Sequence, residues 1–169
     1  MYQVNDLIMY GTTGVYRIAS IGKPEMSGAD KDKLYYELKP LYGDGRTYAP
    51  VDTNTYTRPV ISSEKAQELI DLIPSIEAGV NVGSLRVVED NYKASLNSHD
   101  CTDLIRIIKA VREKGRIASS RGKNICQIDQ RYKKKAEDLL YGEFSAALDI
   151  PRDSVEGYIE ERVGELDNI

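Results

Sequence analysis

The stretch DLIMYGTTGVYRIASIG, residues 6–22, contains two short apolar segments joined by Gly11-Thr12-Thr13-Gly14. Segments of this length, rich in β-branched and aromatic residues and separated by glycine, are typical of a β-hairpin. The sequence that follows continues the same pattern of short segments and turns. We therefore expect the chain to begin with a small β domain.

Three more segments up to residue 61 have the composition of strands, namely LYYELKPLY, TYAPVDT and TYTRPVI. The glycines of GDGR, residues 43–46, suit a tight turn because glycine accepts positive φ without steric cost. Pro50 indicates a sheet edge or a strand end, since proline cannot donate a hydrogen bond to a ladder. Five short strands predict a small antiparallel barrel over residues 1–60.

From Ser62 onward the apolar residues recur at helical spacing, which predicts an all-helical domain over residues 61–169. The strongest helix is CTDLIRIIKAVREKG, which Gly115 is expected to end as the C-cap. A basic loop, RIASSRGKN, follows that glycine, and the last predicted helix covers residues 151–166. The outward positions of the strongest helix are Arg106, Lys109, Arg112 and Lys114. The predicted fold class is α+β.

Composition narrows the class of protein. The chain has 169 residues, is 41% hydrophobic and 30% charged, and contains no apolar run near the about 20 residues of a membrane span. Its N-terminus lacks the basic region of a signal peptide, and two cysteines give no disulfide framework. These features predict a cytoplasmic protein that does not contact membranes.

Candidate catalytic residues are few. His99, Cys101 and Cys126 have irregular spacing, whereas structural zinc sites usually have four ligands in paired spacings. GTTG and GDGRTY lack the lysine and hydroxyl residue of a phosphate loop and do not precede a helix. We expect no metal, no cofactor and no small-molecule substrate, and a small hydrolase is the least supported function.

Charge is strongly segregated along the chain. The net charge is −4, yet residues 91–137 carry twelve Lys and Arg against five Asp and Glu, and residues 138–169 carry two against nine. A basic middle beside an acidic end fits either a surface that binds a polyanion or an internal electrostatic match. The twelve cations are Lys93, Arg106, Lys109, Arg112, Lys114, Arg116, Arg121, Lys123, Arg131, Lys133, Lys134 and Lys135.

The order of several motifs over residues 2–149 resembles the CarD and CdnL family of bacterial RNA polymerase-binding transcription regulators. The most specific parts are the opening V-x-D-x-x-x-Y-x-x-x-G-V pattern, the Y-x-P-V strand and the L-Y-G-E segment near the end. The resemblance implies a Tudor-like barrel that docks on the β subunit of RNA polymerase. It also implies a helical domain that contacts promoter DNA without sequence specificity and stabilises the open complex.

The resemblance places two groups of residues in contact with partners. The docking strand falls on Arg46, Thr47, Tyr48, Ala49, Pro50 and Val51, an edge able to add a strand to a partner sheet. The expected DNA contacts are Leu85, Arg86, Lys93, Lys109, Arg112, Lys114, Arg121, Lys123 and Arg131. The alternative function is a protein-protein adaptor whose helices do not bind DNA because the acidic end balances the cations.

One departure from the family concerns an apolar wedge. Many members place a Trp near the start of the first long helix of the second domain, but this chain contains no Trp. Leu85 falls at that position, and leucine is another known minor-groove wedge with less stacking area. Leu85 is equally compatible with a core position beside Val88 and Tyr92, since leucine at helical spacing usually packs inside.

Overall fold

The computed structural model describes residues 1–164, and the chain divides between Val60 and Ile61 into two compact units. The first unit is one antiparallel sheet of five strands. The strands are β1 Leu7–Tyr10, β2 Gly14–Gly22, β3 Tyr35–Pro40, β4 Thr47–Pro50 and β5 Thr57–Pro59. Their order across the sheet is β4-β3-β2-β1-β5.

The hairpin of β1 and β2 forms as its sequence predicts. Gly11 and Gly14 have φ values of 53° and 126°, which allow the chain to reverse where Tyr10 pairs with Gly14. One face of the sheet packs a core of Ile8, Ile18, Tyr36, Leu38 and Ala49. The strand order places β4 and β5 at the two ends of the sheet, so closure into a barrel stays a prediction.

The second unit is helical, which confirms the predicted α+β class. Its helices are α1 Ser63–Leu72, α2 Leu85–Asn97, α3 Cys101–Ser120, α4 Gln127–Leu148 and α5 Val155–Val163. Short 3₁₀ turns, Ile73–Ser75 and Arg152–Ser154, follow α1 and precede α5. Residues 165 and 166 of the last predicted helix lie outside the described residues. None of the helices within residues 1–164 is long and apolar enough to cross a membrane.

Helix α3 is longer than the sequence predicts, because it continues through Gly115 to Ser120. The predicted C-cap at Gly115 is therefore wrong, and the predicted basic loop is wrong over residues 116–120. Gly122, whose φ is 68°, closes the helix instead. There Gly122 N–H donates to the Ser119 carbonyl at 3.0 Å and Lys123 N–H to the Ala118 carbonyl at 2.8 Å. This is a Schellman motif, in which glycine adopts the left-handed conformation that closes a helix.

Candidate functional site

Strand β4, which contains four of the six predicted docking residues, is an edge strand of the first unit. Ala49 is buried in the sheet core and pairs with Tyr36. Tyr48 pairs with Glu37 and points to the opposite face, where its side chain is half-buried. Because neighbouring residues of a strand face opposite sides, β4 anchors itself through Ala49 and presents Tyr48.

In β4, one residue has backbone N–H and C=O groups that a partner strand could bond. Val51 N–H donates to the Leu34 carbonyl at 3.0 Å, and these residues continue the register of β3 and β4. Hydrogen-bonded pairs alternate along an antiparallel ladder, so Ala49 also bonds to β3 and Tyr48 does not. The N–H and C=O of Tyr48 therefore point away from the sheet. The Pro50 carbonyl accepts from Thr53 N–H at 2.9 Å, and Pro50 has no N–H to donate.

A carboxylate that the sequence analysis did not select lies beside Tyr48. Glu37 Oε2 accepts from the Ser20 hydroxyl at 2.8 Å, and Glu37 Oε1 lies 2.9 Å from Arg46 Nη1. The Glu37 side chain is 15% exposed, whereas that of Arg46 is 58% exposed. The alternation in YYELKP was the available signal, because it places Glu37 on the face opposite the buried Tyr36 and Leu38.

In the second unit, a network centred on Asp129 joins α2, α3 and α4. Asp129 Oδ1 accepts from the Tyr92 hydroxyl at 2.5 Å and from Lys114 Nζ at 3.1 Å. Asp129 Oδ2 accepts from Cys126 Sγ at 3.1 Å, and the Tyr92 and Tyr132 rings stack with centroids 5.0 Å apart. The network fixes the middle of α2 against the beginning of α4 and the last third of α3.

Burial and hydrogen bonding shift two pKa values in this network. Burial alone raises the pKa of the Asp129 carboxyl, but hydrogen bonds from Tyr92, Cys126 and Lys114 outweigh it, so that pKa lies below its ordinary value. Burial, followed by the hydrogen bond to Asp129, raises the pKa of Tyr92 far above the ordinary value for tyrosine. At neutral pH the network is therefore a carboxylate that accepts hydrogen bonds from a neutral phenol and an ammonium group.

Three of the predicted DNA contacts are engaged inside the helical unit. Lys109 is 9% exposed, and its ammonium donates to the Ile73 carbonyl at 2.7 Å and to the Ile76 carbonyl. The prediction that Lys109 points outward is wrong, because the surface of α3 that bears it covers the end of α1. Arg112 Nη2 lies 3.3 Å from Glu156 Oε1, and the Arg112 side chain is 20% exposed. Lys114 forms an ion pair with Asp129.

The other predicted cations are exposed. Arg86, Arg121 and Lys123 form no ion pair within residues 1–164. Lys93 Nζ and Arg131 Nη2 both lie near Glu89 Oε1, at 3.9 and 2.7 Å. These five exposed cations, which we call the basic end, are Arg86, Lys93, Arg121, Lys123 and Arg131. Glu89 therefore pairs with two of the five cations, and the other three have no ion pair within residues 1–164.

The directions of α2, α3 and α4 place the cations of the basic end toward one end of the helical unit. Glu89, in the second turn of α2, contacts Arg131 in the second turn of α4. Cys101, just after α2, contacts Glu143 near the other end of α4 at 3.2 Å. Helices α2 and α4 therefore run in the same general direction, with their N-termini at one end of the unit. Helix α3 finishes at that end as well, because Lys114 in its last third contacts Asp129 at the start of α4.

Exposed apolar side chains flank Arg86 in the sequence. Val80, Val82, Leu85 and Val87 are 88%, 72%, 64% and 47% exposed, and we call them the apolar tip. Buried Asn81 anchors this segment, since its amide donates to the Val88 carbonyl at 2.9 Å. Leu85 is therefore not the core residue that its helical spacing allowed. The sequence analysis missed the valines, although two apolar residues in the Gly-rich connector GVNVGS were a signal.

The two cysteines considered as metal ligands lie in different surroundings. Cys101 is buried against Glu143, whereas Cys126 is exposed at the start of α4. In the part of the chain that the structure describes, no three His, Cys, Asp or Glu side chains converge in a way that could hold a metal ion.

A family match covers the first unit. Residues 2–61 match the family model described as the CarD-like/TRCF RID domain, which supports an interaction with RNA polymerase and a role related to transcription. This is a family of protein-interaction domains that bind the β subunit of RNA polymerase. No curated protein matches this chain. The match confirms the resemblance over the first unit: residues 2–61 of this chain are a CarD-like/TRCF RID domain.

Proposed function

We propose that this chain is a bacterial cytoplasmic transcription regulator with a Tudor-like barrel over residues 1–60 and a DNA-contacting helical domain over residues 61–169. The barrel binds the RNA polymerase β subunit through β4, and the basic end contacts the promoter DNA backbone without base readout. Together these contacts stabilise the open complex. The observation that carries this proposal is an edge strand with an outward-pointing Tyr48 backbone in a domain of a polymerase-binding family.

The helical unit supports the DNA part of the proposal through charge and shape. Five exposed cations at one end suit phosphate contacts, which supply sequence-independent affinity. The apolar tip next to them suits insertion between base steps, as minor-groove binders do with leucine and other apolar residues. The adaptor alternative rests on Lys109, Arg112 and Lys114, which are already engaged inside the unit.

Replacing Tyr48 with glutamate is expected to weaken binding to purified β subunit about tenfold or more, measured as a Kd by interferometry. The substitution places a carboxylate, beside that of Glu37, at the edge where a partner strand docks. The fold is expected to persist because Tyr48 lies outside the buried core of the sheet.

Thr12→Glu is the matched control, because it adds the same charge at an exposed turn between β1 and β2. We expect this variant to bind the β subunit like the wild type. A folded Tyr48→Glu variant with unchanged affinity would show that β4 is not the docking strand.

The wedge role of Leu85 makes a separate prediction. Because Leu85 is 64% exposed, Leu85→Ala is expected to cost less than about 0.5 kcal/mol of stability, whereas buried Leu96→Ala costs about 2–5 kcal/mol. In open-complex lifetime assays Leu85→Trp is expected to lengthen the lifetime, since an indole offers more stacking area, and Leu85→Ala to shorten it slightly. Equal lifetimes for all three folded proteins contradict the wedge.

A further inference from the structure

A cleft of about 320 Å³, open to solvent at its mouth, lies among the helices of the second unit. Its walls come from the turn after α1 and from α3, α4 and α5, through the side chains of Ile73, Ile105, Ile108, Leu140, Tyr141 and Ile159. The five aliphatic side chains of this set all belong to the buried core. The cleft is therefore an indentation of the core itself, and a ligand seated in it would contact well-packed apolar walls.

Tyr141 places a phenol in this apolar lining. Its side chain is half-buried, and its hydroxyl has no hydrogen-bond partner among residues 1–164. Burial, followed by the charge of Glu137, raises the pKa of Tyr141, so the hydroxyl keeps its proton at neutral pH. A desolvated hydroxyl without a partner is unfavourable, because it can both donate and accept a hydrogen bond. A ligand with a hydroxyl of its own would satisfy it.

The two cations at the cleft are already engaged. Lys109 Nζ donates to the Ile73 carbonyl at 2.7 Å, at the end of α1. Arg112 Nη2 lies 3.3 Å from Glu156 Oε1 and 3.9 Å from Glu137 Oε1. An anionic ligand would have to displace these carboxylates from Arg112, and a cationic ligand would have to compete with Arg112 for them. Because burying an uncompensated charge is costly, the cleft favours an uncharged ligand.

We propose that this cleft binds a small, uncharged, mainly apolar molecule that carries one hydroxyl group, such as a substituted phenol. The apolar part packs against the aliphatic walls, and the ligand hydroxyl exchanges a hydrogen bond with Tyr141. A cleft of this size is at the lower end of the usual range for ligand pockets, which suits a single substituted ring. No lining residue belongs to β4 or to the basic end, so the inference does not depend on the proposed function.

The ligand side of the test uses p-cresol as the probe. Toluene is the matched ligand, since it has the same ring and methyl group without the hydroxyl, and p-toluate is the charged analogue. Each is titrated into the full chain, and backbone amide shifts are followed by NMR. We expect p-cresol to bind with a Kd of about 0.3 mM, in the range for a ligand of this size. Toluene and p-toluate are expected to bind about tenfold more weakly, because one leaves the Tyr141 hydroxyl unpaired and the other carries a charge into the cleft.

Tyr141→Phe in the full chain separates binding from stability. The substitution removes a hydroxyl that has no partner within residues 1–164, so the Tm is expected to stay equal or rise. Affinity for p-cresol is expected to fall about tenfold, to the level of toluene, while affinity for toluene stays unchanged. Tyr16→Phe, which removes a half-buried hydroxyl that does not line the cleft, is the control that keeps wild-type affinity for p-cresol.

The other outcomes each overturn the proposal. If p-cresol does not shift the amides of the cleft residues, the cleft is not a ligand site. If Tyr141→Phe binds p-cresol as tightly as the wild type does, the hydroxyl does not recognise the ligand. If p-toluate binds more tightly than p-cresol, Arg112 recognises an anion and the assignment to an uncharged ligand is wrong. If the cleft amides shift with protein concentration alone, a second copy of the chain occupies the cleft instead.

Discussion

An Asp129→Ala variant is expected to lose about 3 kcal/mol of unfolding free energy, the largest stability effect that we predict for a single polar side chain. Asp129 is 6% exposed and accepts hydrogen bonds from Tyr92, Lys114 and Cys126. Alanine leaves the buried Tyr92 hydroxyl and the Lys114 ammonium without that acceptor. Removing one partner of a buried pair is costly because the other partner stays desolvated. Chemical denaturation followed by circular dichroism measures the loss.

Asp129→Asn serves as the control, since it keeps the volume and one acceptor oxygen, and we expect about half the loss. The pH dependence gives a second readout. The folded pKa of Asp129 is lowered, so its stabilisation is present above the ordinary carboxyl pKa of about 4 and is lost as pH falls toward the folded value. The wild type is therefore expected to lose more stability on acidification than Asp129→Ala. An Asp129→Ala variant whose unfolding free energy lies within about 1 kcal/mol of the wild-type value would contradict the stabilising role of the network. That difference is less than a tenfold change in the folding equilibrium constant, which corresponds to about 1.4 kcal/mol.

Reversing three cations of the basic end, Arg86→Glu with Arg121→Glu and Lys123→Glu, is expected to lower affinity for forked promoter DNA at least about a hundredfold at low salt. The negative slope of log affinity against log salt concentration is expected to become about two to three units shallower. Each phosphate contact that is lost means about one fewer counterion released on binding. These residues form no ion pair within residues 1–164, so the fold is expected to survive. Fluorescence anisotropy over a salt series measures both quantities.

A charge-matched control reverses exposed cations elsewhere, namely Lys65, Arg106 and Lys134, whose side chains are 54%, 50% and 76% exposed. We expect this control to keep most of the DNA affinity and salt slope. Polymerase binding is expected to be unchanged in both triple variants. If the basic-end variant binds DNA like the wild type, the adaptor function replaces the DNA-contacting one.

Local sequence was sufficient for the strands and for the helical content. Gly11 and Gly14 mark the reversal of the first hairpin, and alternation along β3 separates buried Tyr36 and Leu38 from outward Glu37. These signals act over a few residues and depend on backbone conformation and side-chain alternation. For the same reason the edge character of β4 was predictable from Pro50.

Long-range contacts were not predictable from the same patterns. Lys109 occupies an outward position on a helical projection, yet residues 107–111 are all buried because α3 is surrounded in its middle. Its carbonyl partners, Ile73 and Ile76, lie more than thirty residues earlier in the chain. Gly115 failed as a stop signal because a glycine inside a helix costs only about 1 kcal/mol, which tertiary packing offsets.

The single available residue on β4 also restricts how the chain associates with itself. An edge strand with many free N–H and C=O groups is a template for sheet-to-sheet aggregation. Here Pro50 has no N–H and its carbonyl is used by Thr53, so a second copy meets one usable donor and one usable acceptor, both from Tyr48. Two backbone hydrogen bonds are too few to propagate a continuous sheet. The β4 edge can therefore bind a partner that adds side-chain contacts. The same edge does not support fibril formation by this chain at high concentration.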